Sequence, residues 1–212
     1  MARPSGGGAR GARPVCPDID AAVPYPDCSA PCPGAASDWL VSGLVHSPTP
    51  RMPTTRTPTL AQLLVPARIR VGLRAPDKAA AIDALVHLLA GHEAIRDLGE
   101  VRAAVREREE KMSTGVGKGL GLPHAKTPAA TDTVLAFATT DAPVDFGAVD
   151  NVPVRLLLLV VGPDEHKSEH IRILGRISRL VSHETLRDRL VAADTPQEIL
   201  DILRDGEQAL RT

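Results

Sequence analysis

The chain has 212 residues, 43% of them hydrophobic and 24% charged, with a formal net charge of -1, which is the make-up of a globular protein. That charge, with only 2% aromatic residues, excludes a basic, base-stacking surface for nucleic acid. The longest apolar run, Leu156 to Val161, is far too short to cross a bilayer, so no membrane insertion is expected.

Residues 1–58 differ from the rest. They are rich in Pro, Gly, Ala and Ser, contain no Lys and show no sustained period, so they read as a disordered extension. Met52 lies just before the ordered part, and an overcalled translation start would explain the extension equally well. The start carries Arg and Gly without an apolar stretch, which argues against a secretory signal. All 3 cysteines, Cys16, Cys28 and Cys32, lie here. Their odd number and the lack of a nearby His pair speak against zinc and for free thiols in a reducing environment.

From Thr59 the pattern is regular. Ile69, Val71 and Leu73 alternate with Arg68, Arg70 and Gly72, a strand. Asp77 caps a helix with Ile82, Leu85, Val86 and Leu89 at helical spacing. Glu100 to Lys111 is a charged helix with Val101 and Val105 inward. Val134 to Thr139 is a strand, and Val152 to Val161 is a nearly continuous apolar strand buried on both faces. Ser168 opens a helix through Val181, and Glu184 to Ala193 forms another. Thr195-Pro196-Gln197-Glu198 is a capping box that opens a last helix to about Arg204. Alternating strands and helices make the class α/β, a single domain over 59–212 with helices covering a sheet.

The most informative stretch is Ser113 to Lys126, where Gly115, Gly117, Gly119 and Gly121 alternate and lead to Pro123-His124. Such spacing lets backbone approach another surface closely, a platform that presents His124. It is not a nucleotide cradle. Gly119 follows Lys118 where a Walker loop needs Ser or Thr, and Leu120 stands at the last glycine of the dinucleotide pattern.

Three residues are candidates for chemistry. A neutral His124 has a lone pair that accepts a proton or a phosphoryl group; the plainer reading is a surface histidine in a turn. His170 shares a helical face with Leu174, Ile177 and Val181, which equally suits a core histidine bonded to backbone. Arg108, in the run Arg106-Glu107-Arg108-Glu109-Glu110, suits a solvated helix face or a guanidinium held for phosphate, and Arg106 competes for that role. His46, His87, His92, His166 and His183 read as exposed or lie in the tail. His166 and His170 have i, i+4 spacing, but Lys167 stands where the zincin pattern needs Glu.

Taken together, Arg108-Glu109, Ser113 to Gly117, Leu122-Pro123-His124, Val144 to Asp150 with the apolar strand after it, and His170 before Ile171 and Leu174 resemble the fructose/mannitol-type enzyme IIA component of the bacterial phosphoenolpyruvate-dependent sugar phosphotransferase system, nitrogen-regulatory members included. The resemblance runs from about Thr59 to Arg204. It implies a mixed β-sheet flanked by helices, transient phosphorylation of His124 on Nε2, and Arg108 and His170 beside it. It implies a phosphohistidine carrier protein as donor, an enzyme IIB cysteine as acceptor, and no cofactor or metal. Gly121 departs from the commoner Ala of the motif; being smaller, it should be tolerated, at the cost of a looser turn. With no IIB-like or membrane-type segment, the expectation is a separate cytoplasmic component. A sugar-uptake phosphocarrier comes first, a regulatory protein whose phosphorylation sets its partner second, and a metal-dependent hydrolase built on His124 and His170 last, for want of a suitably spaced carboxylate or cysteine.

Overall fold

The computed structural model describes residues 58–210. The extension read as disordered, its cysteines and the start near Met52 therefore lie outside the described residues, apart from Pro58.

The chain enters through a short helix α1 (Leu60–Leu63), capped reciprocally by Thr59 and Gln62, and a 3-10 turn at Pro66–Arg68. Strand β1 (Ile69–Leu73) follows, then α2 (Lys78–His87), whose cap Asp77 accepts the Ala80 amide, and α3 (Leu98–Lys111), capped by Asp97. Three short strands come next: β2 (Gly115–Gly117), β3 (Leu120–Gly121) and β4 (His124–Lys126). Two long strands, β5 (Val134–Val144) and β6 (Val154–Gly162), precede a 3-10 turn at Asp164–His166. Helices α4 (Lys167–Ser182), α5 (Glu184–Ala192) and α6 (Pro196–Ala209) complete the fold, the last opened by the expected capping box.

The six strands form one mixed sheet in the order β1-β5-β6-β3-β2, with β4 also on β6. β5 runs antiparallel to β6 and parallel to β1, while β3 and β4 both run parallel to β6, at Leu156–Leu157 and Val160–Gly162 respectively. β6 is thus flanked on both sides. Leu156, Leu158 and Val160 join the core formed with α1, α4, α5 and α6, and Leu157, Leu159 and Val161 join the core formed with α2 and α3. This is why β6 reads as a continuous apolar run.

The largest departure from the sequence reading is the glycine segment. The segment is built of short strands, and His124 begins a strand, against the plainer reading of a surface histidine in a turn. β2 and β3 pair antiparallel around Lys118 and Gly119, whose φ angles of 55° and 73° suit the primed turn of a two-residue hairpin. Gly115 has a different role: a Cβ there would meet the Ala148 backbone at 2.8 Å. That backbone belongs to the loop after β5. The same loop buries Phe146, accepts the Ser113 hydroxyl on the Phe146 carbonyl at 2.6 Å, and holds the Lys118 amide with the Asp150 carboxylate at 2.7 Å. At Gly121, the space of a Cβ is taken by the Leu157 side chain and the Phe146 ring, so the backbone is packed there rather than loosened.

Candidate active site

β4 lies along β6 with His124 opposite Val160. After the last pair, Lys126 with Gly162, the chain passes through Pro163 and the 3-10 turn into α4, whose first turn carries His170. The β6–α4 connection therefore sets His170 over β4. The imidazoles of His124 and His170 stand with ring centroids 5.9 Å apart and planes tilted by 53°. Ala125 points into the core under α2 and α3. By strand alternation, His124 and Lys126 face the other way. An open cavity of about 430 Å³ joins α3, β4 and α4, and its lining includes Arg108, Lys111, His124, Lys126, Asp164 and His170. The three residues singled out from the sequence thus meet in one cavity. The rival Arg106 points elsewhere, with its Nε donating to Asp83 Oδ1 of α2 at 3.1 Å.

His124 is half-buried, and its Nδ1 lies 2.9 Å from the Leu122 carbonyl oxygen. A carbonyl only accepts, so Nδ1 carries the proton and Nε2 keeps its lone pair. Burial lowers the His124 pKa, the Leu122 carbonyl opposes that, and Arg108 lowers it further while Glu109 raises it. The outcome is a ring kept neutral, hence nucleophilic, near pH 7. Arg108 is half-buried and steadied by donation from its Nη1 to the Met112 carbonyl at 2.9 Å, across the end of its own helix.

His170 is 3% exposed, and neither ring nitrogen has a hydrogen-bond partner among the described residues. The reading of a core histidine bonded to backbone therefore fails. Burial first, then the neighbouring His124 and Lys126, push its pKa from 6.5 to about 4. A buried, neutral ring with unused polar atoms beside a second imidazole suits a ligand that supplies the missing partners.

Sequence reasoning passed over Lys126, two positions beyond His124. Period two along a strand would have placed both on one face, but the segment reads as a turn. Met112, 68% exposed after the last turn of α3, was also passed over, and Ile171, quoted only as part of the motif, is 69% exposed and lines the cavity. Among the described residues no group of three or more His, Cys, Asp or Glu is placed to hold a metal, and no helix is long and apolar enough to cross a membrane.

Residues 62–206 match the family model described as phosphoenolpyruvate-dependent sugar phosphotransferase system, EIIA 2, and the chain belongs to that family. It is 36% identical over 128 residues to a fructose-specific EIIA component of Haloferax volcanii, covering 60% of this chain and 83% of that protein. It is 28% identical over 149 residues to a fructose-specific EIIABC component of Bacillus subtilis, covering 70% of this chain but 24% of that longer protein. Among solved structures it is similar to the nitrogen regulatory protein IIA-Ntr of Neisseria meningitidis, at 26% identity and a TM-score of 0.64, covering 68% of this chain and 97% of that one.

Proposed function

We propose that the domain is a phosphocarrier in which His124 Nε2 accepts a phosphoryl group from a phosphohistidine carrier protein and hands it to the cysteine of an enzyme IIB domain. The observation that carries this reading is the Nδ1–H bond to Leu122, which leaves Nε2 unprotonated on a ring that lines the cavity shared with Arg108 and His170. In the first step the Nε2 lone pair attacks phosphorus in line with the donor's P–N bond. A new N–P bond forms, the old one breaks, and its electron pair returns to the donor ring. In the second step the IIB thiolate takes the phosphorus and the electron pair returns to Nε2. The proton stays on Nδ1 throughout, donated to the Leu122 carbonyl.

Transfers of this kind depend on positioning and charge stabilisation. Arg108 opposes the phosphoryl charge with its guanidinium, and His170 donates one otherwise unpartnered N–H to a phosphoryl oxygen. The open cavity, rimmed by an exposed Ile171, suits partners that are themselves proteins. An IIB acceptor is also in keeping with the Bacillus subtilis relative, which is named as an EIIABC component. The test is incubation with phosphoenolpyruvate, enzyme I and the carrier protein, followed by detection of acid-labile phosphate. Labelling is expected in the parent and lost in His124→Ala; undiminished labelling of that variant refutes the assignment.

A second reading keeps the same chemistry and gives it to regulation, in keeping with the likeness to the Neisseria meningitidis nitrogen regulatory protein. In that case phosphorylation of His124 selects a binding partner. Chasing the labelled protein with candidate IIB domains separates the two: passage of phosphate to cysteine supports the carrier, and retention on His124 supports the regulator.

A further inference from the structure

Glu109 follows Arg108 on α3, yet it is 7% exposed in a run of otherwise solvated charges. Its Oε2 accepts two hydrogen bonds from Thr114, one from the amide at 2.9 Å and a short one from the hydroxyl. Its Oε1 lies 3.0 Å from Lys78 Nζ at the start of α2. A buried carboxylate is costly to retain unless its partners are held in place. Here the carboxylate joins the last turns of α3 to the residue that opens the glycine hairpin.

Thr114 does not stop the connection. Its carbonyl accepts the Leu122 amide at 2.9 Å, and the Leu122 carbonyl in turn accepts His124 Nδ1–H at 2.9 Å. Glu109, Thr114, Leu122 and His124 therefore form one hydrogen-bonded series that begins at the residue after Arg108 and ends on the imidazole.

We propose that Glu109 is a positioning residue: by gripping Thr114 through both amide and hydroxyl, it seats the Leu122 carbonyl, and so holds His124 as the Nδ1–H tautomer at a fixed place relative to Arg108. The inference rests on the phosphocarrier reading for its consequence, but not for its geometry. Loss of the grip lets the hairpin shift, and a shift of the order of 1 Å in a reacting group slows transfer by about 100-fold.

The test has a structural and a kinetic arm. In the unphosphorylated parent, 15N resonances of His124 should show a pyrrole-type Nδ1 and a pyridine-type Nε2. In Glu109→Ala they should move toward tautomer averaging, while the phosphotransfer kcat falls by about 10- to 100-fold and the KM for the carrier protein stays put. Glu109→Gln keeps an oxygen acceptor for Thr114 and should stay within about threefold of the parent rate. A folded Glu109→Ala with the parent's 15N pattern and rate overturns the proposal. So does a Glu109→Gln variant as slow as the alanine one, which would assign the effect to charge rather than position. If the alanine variant does not fold, Thr114→Val removes only the hydroxyl donor; a loss of about threefold to tenfold with a shifted 15N pattern supports the proposal, and parent behaviour overturns it. Failure of the phosphocarrier reading is separately visible, as labelling that survives His124→Ala.

Discussion

Acidification should destabilise this domain through His170, by an amount the structure lets us work out. Burial takes the His170 pKa from 6.5 to about 4. Between those values the unfolded chain binds the proton and the folded one does not, so stability rises with pH across the window and is lost as pH falls through it. For a single group with these two pKa values, the penalty is about 0.2 kcal/mol at pH 7 and about 2 kcal/mol at pH 5. It approaches a ceiling of roughly 3 kcal/mol below pH 4. Urea unfolding of the parent at pH 7 and pH 5 should show that loss of about 2 kcal/mol beyond the loss in His170→Gln, which has no ring to protonate. His124 is lowered in the same direction, so the variant keeps a smaller slope of the same sign. An NMR titration gives the direct check, with the His170 ring staying neutral down to about pH 4. Equal pH slopes in parent and variant, or a His170 that titrates near 6.5, would refute the reasoning. Phosphorylation adds a sharper consequence: a phosphoryl dianion on His124 should raise the His170 pKa, because an opposite charge nearby favours the imidazolium.

Arg108→Ala should slow phosphorylation of His124 by about one to three orders of magnitude, as loss of a charge-stabilising donor does, with the melting temperature little changed; a parent rate would return Arg108 to the solvated helix face. Gly115→Ala should cost about 1–3 kcal/mol in chemical denaturation, because the new Cβ meets the Ala148 backbone at 2.8 Å, and a neutral result would show that the loop after β5 yields. A chain starting near Met52 should melt and accept phosphate almost as the full chain does, since the caps, strands and apolar faces of the described domain lie beyond it. A large loss of either on truncation would show that residues 1–51 pack on the domain.

Much of this domain follows from local sequence. Asp77 and Thr195 cap the helices expected of them because an N-cap side chain bonds amides only three residues ahead. The apolar spacing in α2 and the unbroken run in β6 carry their burial with them, since helix and strand periods are local properties of the chain. The linear order of Arg108-Glu109, Ser113 to Gly117, Leu122-Pro123-His124, Val144 to Asp150 and His170 was likewise enough to suggest the family to which the chain belongs. The glycine segment resisted reading because three strands of three residues or fewer have no period to detect. The pairing of β3 and β4 with β6, and the packing of Ala148 and Phe146 against Gly115 and Gly121, come from residues distant in sequence. The same reason hid Glu109, one acidic residue among several in a charged run, and Lys126, placed on the face of His124 by a strand that exists only as a partner of β6. Whether His170 was a satisfied core histidine, or a ring beside His124 with no partner among the described residues, was decided by tertiary structure alone. A helical period can say that a side chain points inward; only the crossing from β6 into α4 determines that what it meets there is His124.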